Sequence, residues 1–141
     1  MDVLPSTVLL LAVVAGGALL AGLASALLAW LLLRLFRFKA TFGSTLIAML
    51  AAVVVTAAAR YAGLIAAARE VIPGEAFLAL HVGASVAASW AGLVYLARDG
   101  GGGRPGLVRS AVAAFVIALV GLLFTFLRFV GTAMSPDQPL G

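Results

Sequence analysis

Residues 8–33 read VLLLAVVAGGALLAGLASALLAWLLL, with no charge and a single hydroxyl, Ser25. A run of this kind exceeds the roughly 20 apolar residues that carry an α-helix across a hydrocarbon layer about 30 Å thick. Three more runs follow at about 42–64, 76–96 and 107–129. They are continuous and lack the apolar-polar alternation of membrane β-strands, which excludes a barrel. The expectation is an all-α protein, a four-transmembrane-helix antiparallel bundle forming a single integral membrane domain over 1–141.

Composition points the same way. The chain is 65% hydrophobic and only 10% charged, with a mean hydropathy of +1.23, whereas about a quarter of the residues in a soluble domain are charged. The segments between the runs are too short to bury a core of their own. Residues 8–33 also far exceed the ~7–15 apolar residues of a signal peptide and have no basic start, so a retained helix is expected. The chain contains no cysteine, which removes disulfides, thiolate metal sites and thiol nucleophiles together. A net charge of +4 suggests nucleic acid at first sight. The basic residues are spread over helix ends and do not form one polar surface, so no nucleic-acid partner is expected.

Charge asymmetry sets an orientation. The first connection carries Arg34, Arg37 and Lys39, and the third carries Arg98, Arg104 and Arg109 against Asp99. The second connection, around Arg69, Glu70, Pro73 and Glu75, is neutral to acidic, and Asp2 and Asp137 mark termini poor in basic residues. The positive-inside bias then gives N-out and C-out, with Trp30, Trp90 and Tyr95 near the inner interface and Tyr61 near the outer one. Of the nine basic residues only Lys39 is a lysine, and Gly and Ala abound. This composition suggests a GC-rich bacterial genome and a multi-pass protein of the cell inner membrane.

Small residues recur at three-four spacing, which keeps them on one helix face. The seams are Ala15, Ala18, Gly22, Ser25 and Ala29; then Ala48, Ala52, Thr56 and Ala59; His81, Ser85, Ala88 and Gly92; and Ala111, Ala114, Ala118, Gly121, Thr125 and Arg128. Such faces let membrane helices approach closely. His81 and Trp90, nine residues apart, belong on opposite faces of their helix.

Charge within a span is costly, so ionisable residues are the first functional candidates. Arg60, Glu70, Glu75, His81 and Arg128 all fall toward the expected outer face and form a candidate polar cluster there. Arg60 can snorkel to headgroups. Glu75 suits the first turn of the third helix, where the dipole favours an acid. The cluster could bind an anionic headgroup, relay protons, or tie helix ends together by ion pairs, and the last of these needs no ligand. No catalytic or metal site is expected, because one histidine without cysteine or an intramembrane carboxylate completes neither a metal site nor a Ser-His-Asp triad. Haem on His81 is the one cofactor alternative, since a single axial histidine can suffice. Close packing explains the small residues around it equally well, so no cofactor is expected.

Residues 100–103, four consecutive glycines, have neither the G-K-[ST] ending nor the strand of a phosphate loop. They read as a flexible linker, with Arg104 and Arg109 placed to meet anionic lipid. The inner half of the bundle has no buried ionisable group, which argues against an ion path through one subunit. The expected role is non-catalytic: an accessory or assembly subunit of a larger bacterial membrane complex, lying in the lipid bilayer and associating with other membrane subunits or as a homo-oligomer. The alternative is a small oligomeric transporter or channel component with a polar outer vestibule.

Overall fold

The computed structural model describes residues 3–134; Asp2, Asp137 and the tail beyond 134 lie outside them. Four α-helices account for nearly all of it: α1 (Val3–Leu35), α2 (Phe42–Ala68), α3 (Gly74–Tyr95) and α4 (Leu107–Ala133). All four are long and apolar enough to cross a membrane. At 1.5 Å per residue the shortest, α3, spans about 33 Å and α1 about 50 Å, so every helix can reach across the hydrocarbon layer. Helices α2 and α4 begin where the apolar runs begin. Each then continues past the run, because nothing at 64 or 129 breaks a helix.

The stops are local. Helix α1 ends with Arg37 in the left-handed region, φ 61°; Phe38 N–H donates to Leu33 O at 2.9 Å and Arg37 N–H to Arg34 O at 3.0 Å. Helix α2 ends the same way at Glu70, φ 56°, with Val71 N–H on Ala66 O and Glu70 N–H on Ala67 O. Both are Schellman motifs, which satisfy the last carbonyls of a helix and usually place glycine at the left-handed position. Pro73 then precedes α3, and Glu75 lies in its first turn.

Consecutive helices are neighbours, and α1 also touches α4, closing a ring; α2 and α3 share the largest interface. Among the described residues the diagonal pairs α1–α3 and α2–α4 have no Cα atoms within 8 Å. The core sits at one end of this ring. Ala26, Ala29, Leu33, Ala48, Met49, Leu93 and Ala113 are all essentially inaccessible and cluster with Phe38, Ala40 and Ala97 of the connections. Gly92 faces the backbone of Ala48.

At this tight end the first and third connections are hydrogen-bonded together. Thr41 N–H donates to Arg98 O at 2.9 Å, Arg98 N–H donates to Ser44 Oγ at 2.9 Å, and the Ser44 hydroxyl reaches Arg98 O at 3.0 Å. Trp30 Nε1 donates to Ala40 O in the first connection and Trp90 Nε1 to Leu107 O at the start of α4. The glycine run is ordered, which corrects the expected flexible linker. Asp99 Oδ1 accepts from Gly101 N–H at 2.9 Å and Gly103 N–H at 2.6 Å, and Gly102 adopts φ 82°. A Cβ at 103 would stand 2.6 Å from Asp99 Oδ2, so a side chain there would have to displace the carboxylate that holds this turn.

The other end is open. Residues 6–15 of α1 and 121–129 of α4 are all exposed, while α2 and α3 stay together as far as Gly63, which is buried. A Cβ at Gly63 would stand 2.9 Å from the Phe77 ring. The small-residue seams therefore divide. Gly22, Ala29, Ala48, Ala52, Gly92 and Ala114 are buried as close packing requires, but Ala15, Ala111, Gly121 and Thr125 are exposed. The buried face of α4 runs instead through Ser110, Ala113 and Ala114.

Candidate functional site

Above the packed end the four helices diverge around a central cavity of about 380 Å³. Helix α1 contributes Ala18, Ala21 and Ser25, α2 contributes Ala52, Thr56 and Arg60, α3 contributes His81, Ser85 and Ser89, and α4 contributes Ile117. A second space of about 260 Å³ adjoins it between α3 and α4, sharing Ser25, His81, Ser85 and Ile117. Small side chains at three-four spacing here make room between helices; a few turns away, at Gly92, the same kind of spacing closes them. The difference is the angle at which the helices separate, which a one-dimensional pattern does not contain.

From Ser89 to His81 is eight residues of α3, about 12 Å along the helix axis. Ser89, 6% exposed, marks the floor, and Arg60 and His81 mark the mouth. His81 stacks on Phe77, ring centroids 6.4 Å apart and planes at 15°. Its Nδ1 is buried without a hydrogen-bond partner. Among the described residues the hydroxyls of Ser25, Thr56, Ser85 and Ser89 likewise make no hydrogen bond. In a helix such hydroxyls commonly bond the carbonyl four residues back, as Thr125 does with Gly121 O at 2.9 Å. The four in the cavity do not, and they add polar capacity to a space between four apolar helices.

The five residues singled out from the sequence separate into two groups. Arg60 and His81 line the same cavity. Glu70, Glu75 and Arg128 are exposed and line neither space, and among the described residues no ion pair links any of the five. Glu70 has a structural part instead, holding the left-handed position that ends α2. Ser25, Thr56 and Ser85 were legible as seam members; that they line a cavity was not. Ser89 lies one turn beyond Ser85 and stood off the chosen seam.

Two further features lie outside the cavity. An outward-facing groove of about 720 Å³ runs between α3 and α4, bounded by Gly83, Ala87, Trp90, Ala111 and Phe115. Trp90 thus faces outward while His81 faces inward, as their nine-residue separation requires. At the tight end, Arg34 Cζ lies 4.3 Å from the Trp30 ring centroid, a cation-π contact. Arg34, Arg37 and Lys39 surround a shallow basic recess with Phe38.

No family model, curated protein or solved structure matches this chain.

Proposed function

We propose that this chain is a non-catalytic subunit of a larger assembly in a bacterial inner membrane, acting through helix-helix association. The observation that carries this reading is the state of the open end. Gly16 and Gly17 on α1 and Gly121 on α4 have nothing within 4 Å of where a Cβ would stand. Glycine inside a helix costs roughly 0.5–1 kcal/mol relative to alanine, and no contact among the described residues makes use of these. Another helix packed there would, since small residues permit close backbone approach in lipid. A partner would also shield the polar cavity wall from hydrocarbon, which solvates hydroxyls and charges poorly.

The same reading takes the bundle as antiparallel and oriented N-out, C-out. Several contact pairs support the antiparallel order: Gly22 with Leu50, Ala48 with Gly92, Gly63 with Phe77, and Trp90 with Leu107. Support for the orientation comes from the tight end, where the basic residues of both connections and both tryptophans gather.

Purification of the full chain in mild detergent, followed by mass spectrometry, tests the assignment. Other membrane subunits should be recovered stoichiometrically, and Gly17→Leu should reduce that recovery while leaving the protein folded. Recovery of a homo-oligomer alone would overturn it. One observation favours a second reading, a small oligomeric transporter or channel component: the polar cavity opens toward the expected outer face. Toward the tight end the helices pack through Ala26, Leu33, Met49 and Leu93, all essentially inaccessible. Conduction would therefore need a path between subunits.

A further inference from the structure

The geometry points to an oxyanion-binding site at the mouth of the central cavity, formed by the Arg60 guanidinium with the hydroxyls of Thr56 and Ser85 and with His81 beside it, while Ser25 and Ser89 line the deeper part of the same space. The ligand group is a phosphate or carboxylate, on a lipid headgroup or on a small soluble anion. This goes beyond the assembly role and holds under either reading of it.

Three observations converge. Arg60 lines the cavity, and among the described residues no carboxylate pairs with it. A cation facing a cavity at membrane depth is stabilised by an anion that enters the cavity, and charge-assisted hydrogen bonds from a guanidinium to oxyanion oxygens are among the strongest available. Next, four hydroxyls lining the same space make no hydrogen bond among the described residues. Their oxygens are not sealed in, since the buried, unpartnered side-chain atoms among the described residues are His81 Nδ1 and Ser110 Oγ, so these hydroxyls face the open space and can donate to a ligand there. Ser89 is the sharpest case, because it is 94% buried, being 6% exposed, and still lines the cavity. Finally, His81 lines the same mouth with its Nδ1 shut off from solvent, so its ring lies beside the ligand position and reports on it, and Nδ1 is not counted among the ligating groups.

Every one of these groups can donate, and none brings a negative charge. Donors beside an unpaired cation favour a ligand with several acceptor oxygens and disfavour a metal ion. The volume of about 380 Å³ would hold on the order of a dozen waters at ~30 Å³ each. A phosphate or carboxylate with part of its hydration fits, and a whole lipid does not. A headgroup would have to enter from the open end, where α1 and α4 diverge, leaving its chains outside.

His81 is the only histidine, so ¹⁵N-labelling of histidine in an untagged full chain gives one imidazole spectrum. The protein in phosphatidylcholine nanodiscs is titrated first with inorganic phosphate, then in nanodiscs containing increasing phosphatidic acid. A saturable shift of the His81 signals with phosphate assigns a soluble anion, and one with phosphatidic acid alone assigns a headgroup; either supports the site. Arg60→Gln should weaken the apparent affinity by about tenfold or more, Arg60→Lys should restore part of it, and Glu70→Gln should leave it unchanged. Because Arg60 is exposed on its helix, Arg60→Gln should fold normally. No saturable shift with either probe, or an affinity unaltered in Arg60→Gln, overturns the proposal.

Discussion

A side-chain carbon on Gly92 would stand 2.8 Å from the backbone carbonyl oxygen of Ala48. This contact between α3 and α2 is the closest approach in the packed end that only a backbone shift can relieve. At Gly22 the nearest atom, 2.7 Å away, is the flexible end of Leu50. Gly92→Ala should therefore destabilise the protein by about 1–3 kcal/mol, the usual range for overpacking, whereas Gly22→Ala should cost clearly less. Unfolding of both variants in mixed micelles checks the order, and equal losses would contradict it.

Ser44 joins the two connections at the tight end, accepting from Arg98 N–H and donating toward Arg98 O. Ser44→Ala leaves a partly buried N–H without its partner, a loss of about 1–3 kcal/mol. Thr132→Ala removes an exposed hydroxyl whose bond is local to its helix, to Phe129 O, and should change stability little. Hydrogen exchange at residues 98–103 should rise in the first variant and stay the same in the second.

Arg37 holds a left-handed conformation that costs a side chain about 1 kcal/mol and costs glycine almost nothing. Arg37→Gly should raise stability by about that amount, and Arg37→Ala, which keeps the Cβ, should not. Equilibrium unfolding distinguishes them. A gain in the alanine variant would show that relief of positive charge, not of backbone strain, was responsible.

The absence of cysteine makes orientation simple to measure. With Lys39→Cys and Glu75→Cys made separately, a membrane-impermeant maleimide should label the second in intact spheroplasts and the first only after the membrane is opened. The reverse pattern would place the tight end outside and invert the assignment of both connections.

Much of the candidate site was visible in the chain, but in a scattered form. Arg60 and His81 stood out because charge and imidazole are rare in apolar runs, and that rarity is a property of single positions. Their place on one cavity wall, apart from Glu70, Glu75 and Arg128, depends on helix rotation and on where α1 and α4 diverge. Glu70 illustrates the limit: its acidity suggested a site, while its φ of 56° gives it a part in ending α2.

The sequence by itself determined the solvent and the spans. Hydrocarbon thickness is a single length, and an apolar run either covers it or does not, so four helices could be counted and two of their starting residues placed. Only the tertiary structure decided which small-residue faces close and which stand open. Gly92 against Ala48 and Ser85 beside His81 belong to seams of the same spacing, yet one excludes every side chain and the other borders a cavity. The Ser44 to Arg98 clasp, 54 residues apart in the chain, is likewise invisible to any local pattern, because it forms only when the packed end brings two connections within hydrogen-bonding distance.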